Sequence, residues 1–391
     1  MDIDDERFYE RGPRPSDVPE GTPWDAWTIA LWPVEELAGL GAGEGDAETQ
    51  LAYLAAFGLL APTTHNTVPQ RFELLPDDAG LRVWLDRRDV LADSDPTGRQ
   101  AVVSVGCVLA NVELAAQSVG LSARVETHEL AGESLRPYDG EGDPLVGLAT
   151  VHFSSADPSS APPTEWRELM RRRKMVRAEY DRAPLPDALV EELDAATAAH
   201  EGLGLHLITD GPTKLFLGKF QELADATVIN REGFARELGH WLLANDDPSD
   251  RGMRGWEFGL ALEPARRFHL GLKGELSLLP DETAGFAKAG NIGMRSASAV
   301  GVLTAAADDA EHWLTAGRVY QRIALVLLRE GFVAAMHAGI TEVTAPNMAL
   351  RGRLRTRSRP VVVFRTGRPV HPADGQRPHA SRPPLASVLL G

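Results

Sequence analysis

The sequence contains a single cysteine, Cys107, among 391 residues. One cysteine cannot form an internal disulfide, which favours a reducing compartment and predicts a cytoplasmic protein. Lysine occurs only five times, so arginine supplies nearly all of the 40 basic residues. Arginine is therefore the expected ligand for any phosphate. No uninterrupted apolar run approaches the roughly 18 residues that a membrane-spanning helix requires.

Basic residues are also outnumbered by acidic residues, so the formal net charge is −16 and the pI is near 5.2. This balance argues against a general nucleic-acid-binding protein. The arginine-rich run at 351–359 is the local exception. We interpret it as a solvated connector before a strand, and it gives only weak support to a nucleic-acid-binding or interaction protein. The acidic, proline-containing start does not resemble a secretory signal, and we expect a mobile tail over residues 1–20.

Several common chemical motifs are absent. The glycine-rich run at 39–45 has Glu44 and Asp46 where a dinucleotide-binding loop could place its last glycine. His200 and His206 are separated by a glycine-containing turn, and no cysteine cluster accompanies them, so we assign no metal ligand. No G-x-S-x-G pattern indicates a serine nucleophile. The sequence therefore identifies no catalytic side chain.

The chain does contain an internal repeat. Gly106, Leu114, Gly120 and Ala123 recur as Gly317, Leu325, Gly331 and Ala334, each 211 residues later. Each set predicts a long helix, a glycine at its end and a following strand. Residues 154–163 are rich in Ser, Ala and Pro and predict a linker. The elements expected around the repeat are helices at 48–61, 99–119, 186–200 and 308–330, a closing helix at 384–390, a hairpin of 71–76 and 81–86, and strands at 122–127, 145–153, 205–209, 332–337 and 360–364.

The segment 61–72 (APTTHNTVPQRF) has the highest density of hydrogen-bonding side chains between a predicted helix and a predicted strand. Thr63, Thr64 and Asn66 could bind a polyol or the edge of a ring. The simpler alternative is an ordinary turn, since Pro, Thr and Asn all favour turns.

This segment resembles the A-P-S-x-x-N-x-Q-P-W-x-F signature of FMN-dependent nitroreductases. Residues 172–177 (RRKMVR), which precede Tyr180, resemble the R-R-S-x-R-x-F element of that family, and residues 381–385 (SRPPL) resemble its closing R-x-P-L. The double-length Acg branch is the most similar group, and the resemblance covers roughly residue 48 to the C-terminus. The segments that carry it are 237–241 (ELGHW), 255–259 (GWEFG), 307–309 (ADD) before Trp313, and 359–369 (RPVVVFRTGRP).

The chain departs from the family pattern at several positions. Met175 stands where the family has a serine, and Lys174 replaces the preceding arginine. Val68 and Gln70 stand in place of the glutamine and tryptophan of the loop, and Ala380 replaces a second basic residue near the C-terminus. These changes keep a flavin pocket plausible and weaken the case for an ordinary reductase.

The resemblance implies an α+β protein of the nitroreductase-type fold, with two tandem halves that form an intramolecular pseudo-dimer. The expected boundaries are 21–155 for the first half and 164–391 for the second. In the family, two subunits share each flavin. Here the polar loop occurs only in the first half and the basic elements only in the second, which implies one FMN per chain and a decayed duplicate site. A monomer would be sufficient, although a higher oligomer is compatible with the sequence.

The resemblance also implies roles for particular residues. Arg382, with Arg173 or Arg177, would bind the FMN phosphate, and Lys174 or Arg177 would lie near the N1–O2 edge of the ring. Thr63, Thr64 and Asn66 would hydrogen-bond the ribityl chain or the pyrimidine edge. The alternative for the arginines is a solvated helix start.

Residues 247–262 are expected to form a lid over the flavin, with Trp256 or Phe258 near the ring. The alternative for this segment is a surface loop in which Trp256 fills a gap in the core. The lid bears on turnover, because it would either gate the reaction or close the pocket.

The implied function is an FMN-binding oxidoreductase that uses NADPH or NADH to reduce a small oxidised molecule. The alternative is a flavin-binding or flavin-sequestering protein with a closed lid and little or no turnover. Neither hypothesis involves a membrane or a nucleic acid.

Overall fold

The computed structural model describes residues 9–11, 27–29, 46–130, 132–156, 165–375 and 379–391. Its helices are α1 (Ala47–Leu59), α2 (Arg99–Gln117), α3 (Glu165–Arg172), α4 (Asp187–Ala198), α5 (Gly211–Ile229), α6 (Glu232–Trp241), α7 (Leu262–Leu272), α8 (Pro280–Ser296), α9 (Ala310–Arg329), α10 (Gly339–Glu342), α11 (Thr344–Leu354) and α12 (Pro372–Gly375). Its strands are β1 (Tyr9–Arg11), β2 (Trp27–Ile29), β3 (Gln70–Leu75), β4 (Gly80–Asp86), β5 (Leu121–Thr127), β6 (Leu145–Ser155), β7 (Leu203–Ile208), β8 (Leu242–Leu243), β9 (Met253–Arg254), β10 (Ala299–Ala305), β11 (Val333–Met336), β12 (Arg359–Gly367) and β13 (Leu389–Leu390).

Some expected segments fall wholly or partly outside these residues. Only 9–11 of the expected N-terminal tail is described, and it pairs with 27–29 as an antiparallel ribbon. The glycine-rich run at 39–45 and residues 157–163 of the expected linker lie outside the described residues.

The two large sheets have the same strand order. In the first sheet four strands have the order β3-β4-β6-β5, with β13 added outside β3, and in the second sheet the order is β7-β10-β12-β11. Neighbouring strands within each of these sets are antiparallel. A long helix connects the second strand of each order to the fourth: α2 connects β4 to β5, and α9 connects β10 to β11. The repeat predicted from the glycine and leucine spacing is thus present, and the predicted α+β fold with two tandem halves is confirmed.

The two halves meet where α2 crosses α9 at a pair of glycines. A Cβ atom on Gly106 would lie 2.1 Å from the carbonyl oxygen of Leu314, and one on Gly317 would lie 2.0 Å from that of Val103. Gly106 precedes Gly317 by 211 residues, and Val103 precedes Leu314 by the same number. The two contacts are therefore equivalent under the repeat. The crossing therefore has local two-fold symmetry, and glycine is needed on both sides of it.

The ends and surroundings of these helices also follow the sequence pattern. Gly120 and Gly331 have φ angles of +77° and +78°, the left-handed conformation that favours glycine after a helix. By length and composition α2 could cross a membrane, but 83% of its most apolar stretch is buried inside the protein, as in a core helix. Burial raises the pKa of the Cys107 thiol on α2 to about 12. This cysteine is a core residue.

The second half contains a large insertion. Its edge strand β7 and the next strand β10 are separated by α5–α8, whereas β3 and β4 are joined by a short turn at Pro76–Asp78. From the sequence, only the 247–262 segment is expected in this region. Local signals for the helices do exist, since Asp210 caps α5 by accepting a hydrogen bond from the backbone of Thr213, and α8 starts at Pro280.

The C-terminus differs from the expected closing helix. Residues Leu385–Val388 form a single 3-10 turn, and β13 then adds to the first sheet parallel to β3, pairing Leu389 with Phe72. The open edge of β3 supplies backbone partners that a local helix would not use. As a result, the last residues of the second half lie on the first half and carry Arg382 to the end of α1.

Candidate functional site

Four separate segments of the described chain line one cleft of about 620 Å³, a volume that includes the part open to solvent. They are the loop after α1, the stretch after α3, the insertion and the C-terminal tail. The lining residues are Pro62, Thr63, Asn66, Arg173, Lys174, Met175, Val176, Arg177, Met253, Trp256, Glu257, Asp374, His379, Ala380 and Arg382. Of the residues predicted to bind a cofactor or form a lid, Thr64 and Phe258 are outside this set.

The loop after α1 has an unusual backbone. His65, Asn66 and Val68 have φ angles of 49°, 56° and 53°. Such angles are costly for residues other than glycine, above all for the β-branched Val68. Two side-chain contacts hold the loop: the Thr63 hydroxyl accepts a hydrogen bond from the Val68 backbone (3.2 Å), and the Thr64 backbone N–H donates to Ser104 on α2 (3.1 Å). Thr64 thus anchors the loop to α2.

Asn66 connects three segments through its side chain. Its amide nitrogen donates to the carbonyl oxygens of Gly252 (2.9 Å) in the insertion and Ser381 (3.0 Å) in the tail. Its Oδ1 accepts a hydrogen bond from Arg382 at 2.6 Å. Both amide hydrogens are therefore used in closing the cleft, and Oδ1 keeps one free acceptor position.

Two arginines of the second half cap the C-terminal end of α1. The Arg382 guanidinium donates to the carbonyl oxygens of Leu59 (2.6 Å) and Ala61 (3.2 Å). The Arg173 Nη2 donates to that of Leu60 at 3.3 Å. The carbonyl end of a helix carries partial negative charge, so it attracts both side chains.

The cleft carries an excess of positive charge. Burial, followed by the nearby Arg173, lowers the pKa of Arg382 to about 10. Burial, followed by Lys174, Arg173 and Arg382, lowers the pKa of His379 to about 3, so its ring is neutral at pH 7. The buried Nε of Arg173 has no hydrogen-bond partner. A site with these properties favours an anion.

The other end of the cleft contains Arg177 and residues of the insertion. The Arg177 guanidinium lies over the Phe258 ring, 4.2 Å from its centroid, and its Nη1 lies 3.8 Å from Glu257 Oε2. Its Nη2 contacts the Met253 sulfur at 3.6 Å. Trp256 is only 2% exposed and also lines the cleft, so it contributes both to the core and to the site wall. Phe258 does not line the cleft, but its ring packs against Arg177, which does.

The insertion contacts the first half at several points besides the Asn66 side chain. The Gly252 N–H donates to the Asn66 carbonyl at 3.1 Å. Arg251 donates to the Thr67 carbonyl (3.3 Å) and pairs with Asp89 (2.9 Å). In α6, the Glu237 carboxylate accepts hydrogen bonds from the backbone of Asp93 and Ser94. These contacts hold the insertion over the cleft.

Sequence reasoning missed four cleft residues that can take part in polar contacts, namely Met253, Glu257, Asp374 and His379. Glu257 had a local signal, because it lies in the GWEFG segment at 255–259. Met253 lies within the predicted lid at 247–262, whereas Asp374 and His379 lack a local signal, since their position depends on the folding of the tail onto the first half.

Comparison with known proteins gives no matching family model. The chain is 33% identical over 97 residues to the Mycobacterium tuberculosis (strain H37Rv) protein provisionally named NAD(P)H nitroreductase Acg, covering 25% of each. It is 29% identical over 200 residues to a second protein of that strain, provisionally named NAD(P)H nitroreductase Rv3131, covering 50% of this chain and 52% of the relative. The chain thus matches about a quarter and about half of the length of these relatives.

Among solved structures, the FMN-dependent nitroreductase NfnB from Mycobacterium smegmatis, in complex with NADPH, is 16% identical. The alignment covers 57% of this chain and 96% of NfnB, with a TM-score of 0.39. A nitroreductase-like family protein from Bacillus cereus is 15% identical, with coverage of 56% and 91% and a TM-score of 0.32.

The ordered motifs and the similarity to the two curated relatives support a nitroreductase superfamily protein. The similarity to the relative named Acg supports the Acg type that the sequence motifs predict.

Proposed function

We propose that the chain binds one FMN in this cleft and uses NAD(P)H to reduce a small oxidised molecule. The charge of the cleft carries the proposal. The cleft is lined by four cationic side chains, Arg173, Lys174, Arg177 and Arg382, and by two carboxylates, Glu257 and Asp374. The positive charges therefore exceed the negative charges by two. A phosphate monoester carries about −1.5 to −2 at pH 7, which matches this excess.

The arrangement of the side chains supports one orientation of the cofactor. The phosphate would bind at the end formed by Arg173, Lys174 and Arg382, where Arg173 Nε lacks a partner. The flavin ring would lie toward Trp256 and Arg177. The positive charge of Arg177 would stabilise negative charge on the reduced ring. When bound, FMN supplies the hydride-transfer chemistry, and the protein supplies binding, orientation and electrostatics.

The structure supports one such site per chain. The polar loop of the first half spans residues 60–69, between α1 and β3. At the equivalent place in the second half, only residues 199–202 separate α4 from β7. A connection this short lacks the residues that form the first cleft. We therefore propose that the two halves act as a pseudo-dimer with one FMN, and that a cytoplasmic monomer is sufficient for binding.

The contacts of the insertion favour a second candidate function, flavin sequestration with little turnover. Gly252 and Arg251 bond to the first half beside the cleft, and Trp256 is nearly fully buried. A lid held in this way excludes water, and it gates turnover only if it opens.

Anaerobic addition of NADPH, and separately of NADH, to the FMN-loaded protein tests the proposed oxidoreductase. We expect the visible flavin absorbance to bleach and a quinone or nitroarene to restore it. Arg251→Ala, which removes the Asp89 pair and the Thr67 contact, should accelerate bleaching, whereas Arg236→Ala, an exposed pair with Glu232, should not. Absence of bleaching in all three proteins with both donors would exclude the oxidoreductase and support sequestration.

A further inference from the structure

The two ends of the cleft differ in how their positive charge is balanced. At the end of the cleft that contains Arg173, the buried Nε of this residue has no hydrogen-bond partner. At the other end, Arg177 Nη1 also has no hydrogen-bond partner, but it lies 3.8 Å from the carboxylate of Glu257. Glu257 is held in place, because its Oε1 accepts a hydrogen bond from the Arg254 backbone N–H at 2.8 Å. Its side chain is only 10% exposed, and Glu257 lines the cleft.

This carboxylate occupies the position that an anionic ligand of Arg177 would take. An arginine guanidinium binds carboxylates through parallel hydrogen bonds, so an unpaired Arg177 would attract acidic molecules into the cleft. Burial raises the pKa of the Glu257 carboxyl and the neighbouring Arg177 opposes this shift, and with Glu257 ionised the pair is neutral. A second carboxylate near Arg177 would then meet a like charge at short range in a partly desolvated site.

We propose that Glu257 determines the charge of the electron acceptor, so that the ring end of the cleft accepts neutral quinones or nitroaromatic compounds and rejects those that carry an acid group. The inference rests on the proposed function, since it assigns a substrate class to the same site. It concerns binding before any electron transfer, and Glu257 acts through charge alone.

The test compares two probes of nearly equal shape, 4-nitrobenzoate and 4-nitrobenzamide, binding to the oxidised FMN-loaded protein without a nicotinamide donor. Binding is followed by the change in flavin absorbance. The wild type should bind the amide at least about tenfold more tightly than the carboxylate, a ratio consistent with one like-charge contact. In Glu257→Gln, affinity for the carboxylate should rise by about tenfold or more, while affinity for the amide should change by less than about threefold.

Two further variants make the result specific. Glu263→Gln on α7 removes an exposed carboxylate paired with Arg266, and it should leave both affinities unchanged. In the double variant Glu257→Gln with Arg177→Gln, the gain for the carboxylate should disappear, because the guanidinium that would bind it at this end of the cleft is removed. Glu257→Gln keeps an oxygen that can accept the Arg254 hydrogen bond, so the segment should stay folded, and the melting temperature checks this.

The outcomes distinguish failure of the proposed function from failure of the role assigned to Glu257. If the wild type cannot be loaded with FMN, the proposed function fails. If FMN binds but Glu257→Gln leaves the ratio of the two affinities unchanged, or still does not bind the carboxylate, the assignment of Glu257 is wrong while the proposed function stands.

Discussion

Replacing Gly317 with alanine should lower the free energy of unfolding by about 2–3 kcal/mol or more. The added Cβ would lie 2.0 Å from the Val103 carbonyl oxygen, so α2 and α9 must move apart. Both helices are almost completely buried at this crossing, and a backbone atom cannot move aside as the end of a side chain can. Denaturant unfolding monitored by circular dichroism measures the change.

The same mutation elsewhere in a helix is the matched control. Gly285 on α8 is exposed, and a Cβ atom there would meet nothing within 4 Å. Gly285→Ala should raise stability by about 0.5–1 kcal/mol, because alanine is the better helix former. Gly106→Ala should cost about as much as Gly317→Ala, since the two contacts are equivalent. If Gly317→Ala behaves like Gly285→Ala, the close helix crossing is wrong.

Replacing Arg382 with alanine should weaken FMN binding by about 1.5–3 kcal/mol, roughly tenfold to more than a hundredfold. The protein should also become less stable. The Arg382 guanidinium donates to Leu59, Ala61 and Asn66, and the mutation leaves these acceptors without that donor. Fluorescence titration with FMN and a melting curve measure the two effects separately.

Arg351→Ala on α11 is the control for charge. Within the described residues the Arg351 side chain donates to the Arg357 carbonyl, and it does not line the cleft. It should change FMN affinity little. Arg173→Ala should weaken binding by an amount similar to Arg382→Ala, since Arg173 retains a partnerless Nε for the phosphate. Equal effects of Arg382→Ala and Arg351→Ala would mean that the phosphate binds elsewhere.

Local sequence patterns predicted the elements that repeat. The glycines at 120 and 331 end the long helices in the left-handed conformation, and the hairpin of β3 and β4 forms around the predicted turn. These features depend on neighbouring residues, which a single sequence displays. The motifs also identified segments that meet in the cleft, although Asn66 and Arg382 are 316 positions apart.

The remaining features depend on tertiary contacts. No local pattern showed that Asn66 and Arg382 would bond to each other, or that Thr64 would anchor its loop to α2. The end of the chain pairs with β3 because that strand has an open edge, which the sequence near Leu389 does not reveal. Glu257 reaches Arg177 only after the insertion folds over the cleft.

The flavin content of the monomeric protein tests the central claim, that two fused halves form one FMN site. The protein would be loaded with FMN, separated by size-exclusion chromatography with light scattering, and denatured to release and identify the flavin. We predict one FMN per chain in a species of about 42.3 kDa. Two equivalents per chain, FAD in place of FMN, or flavin bound only by a dimer would contradict the account.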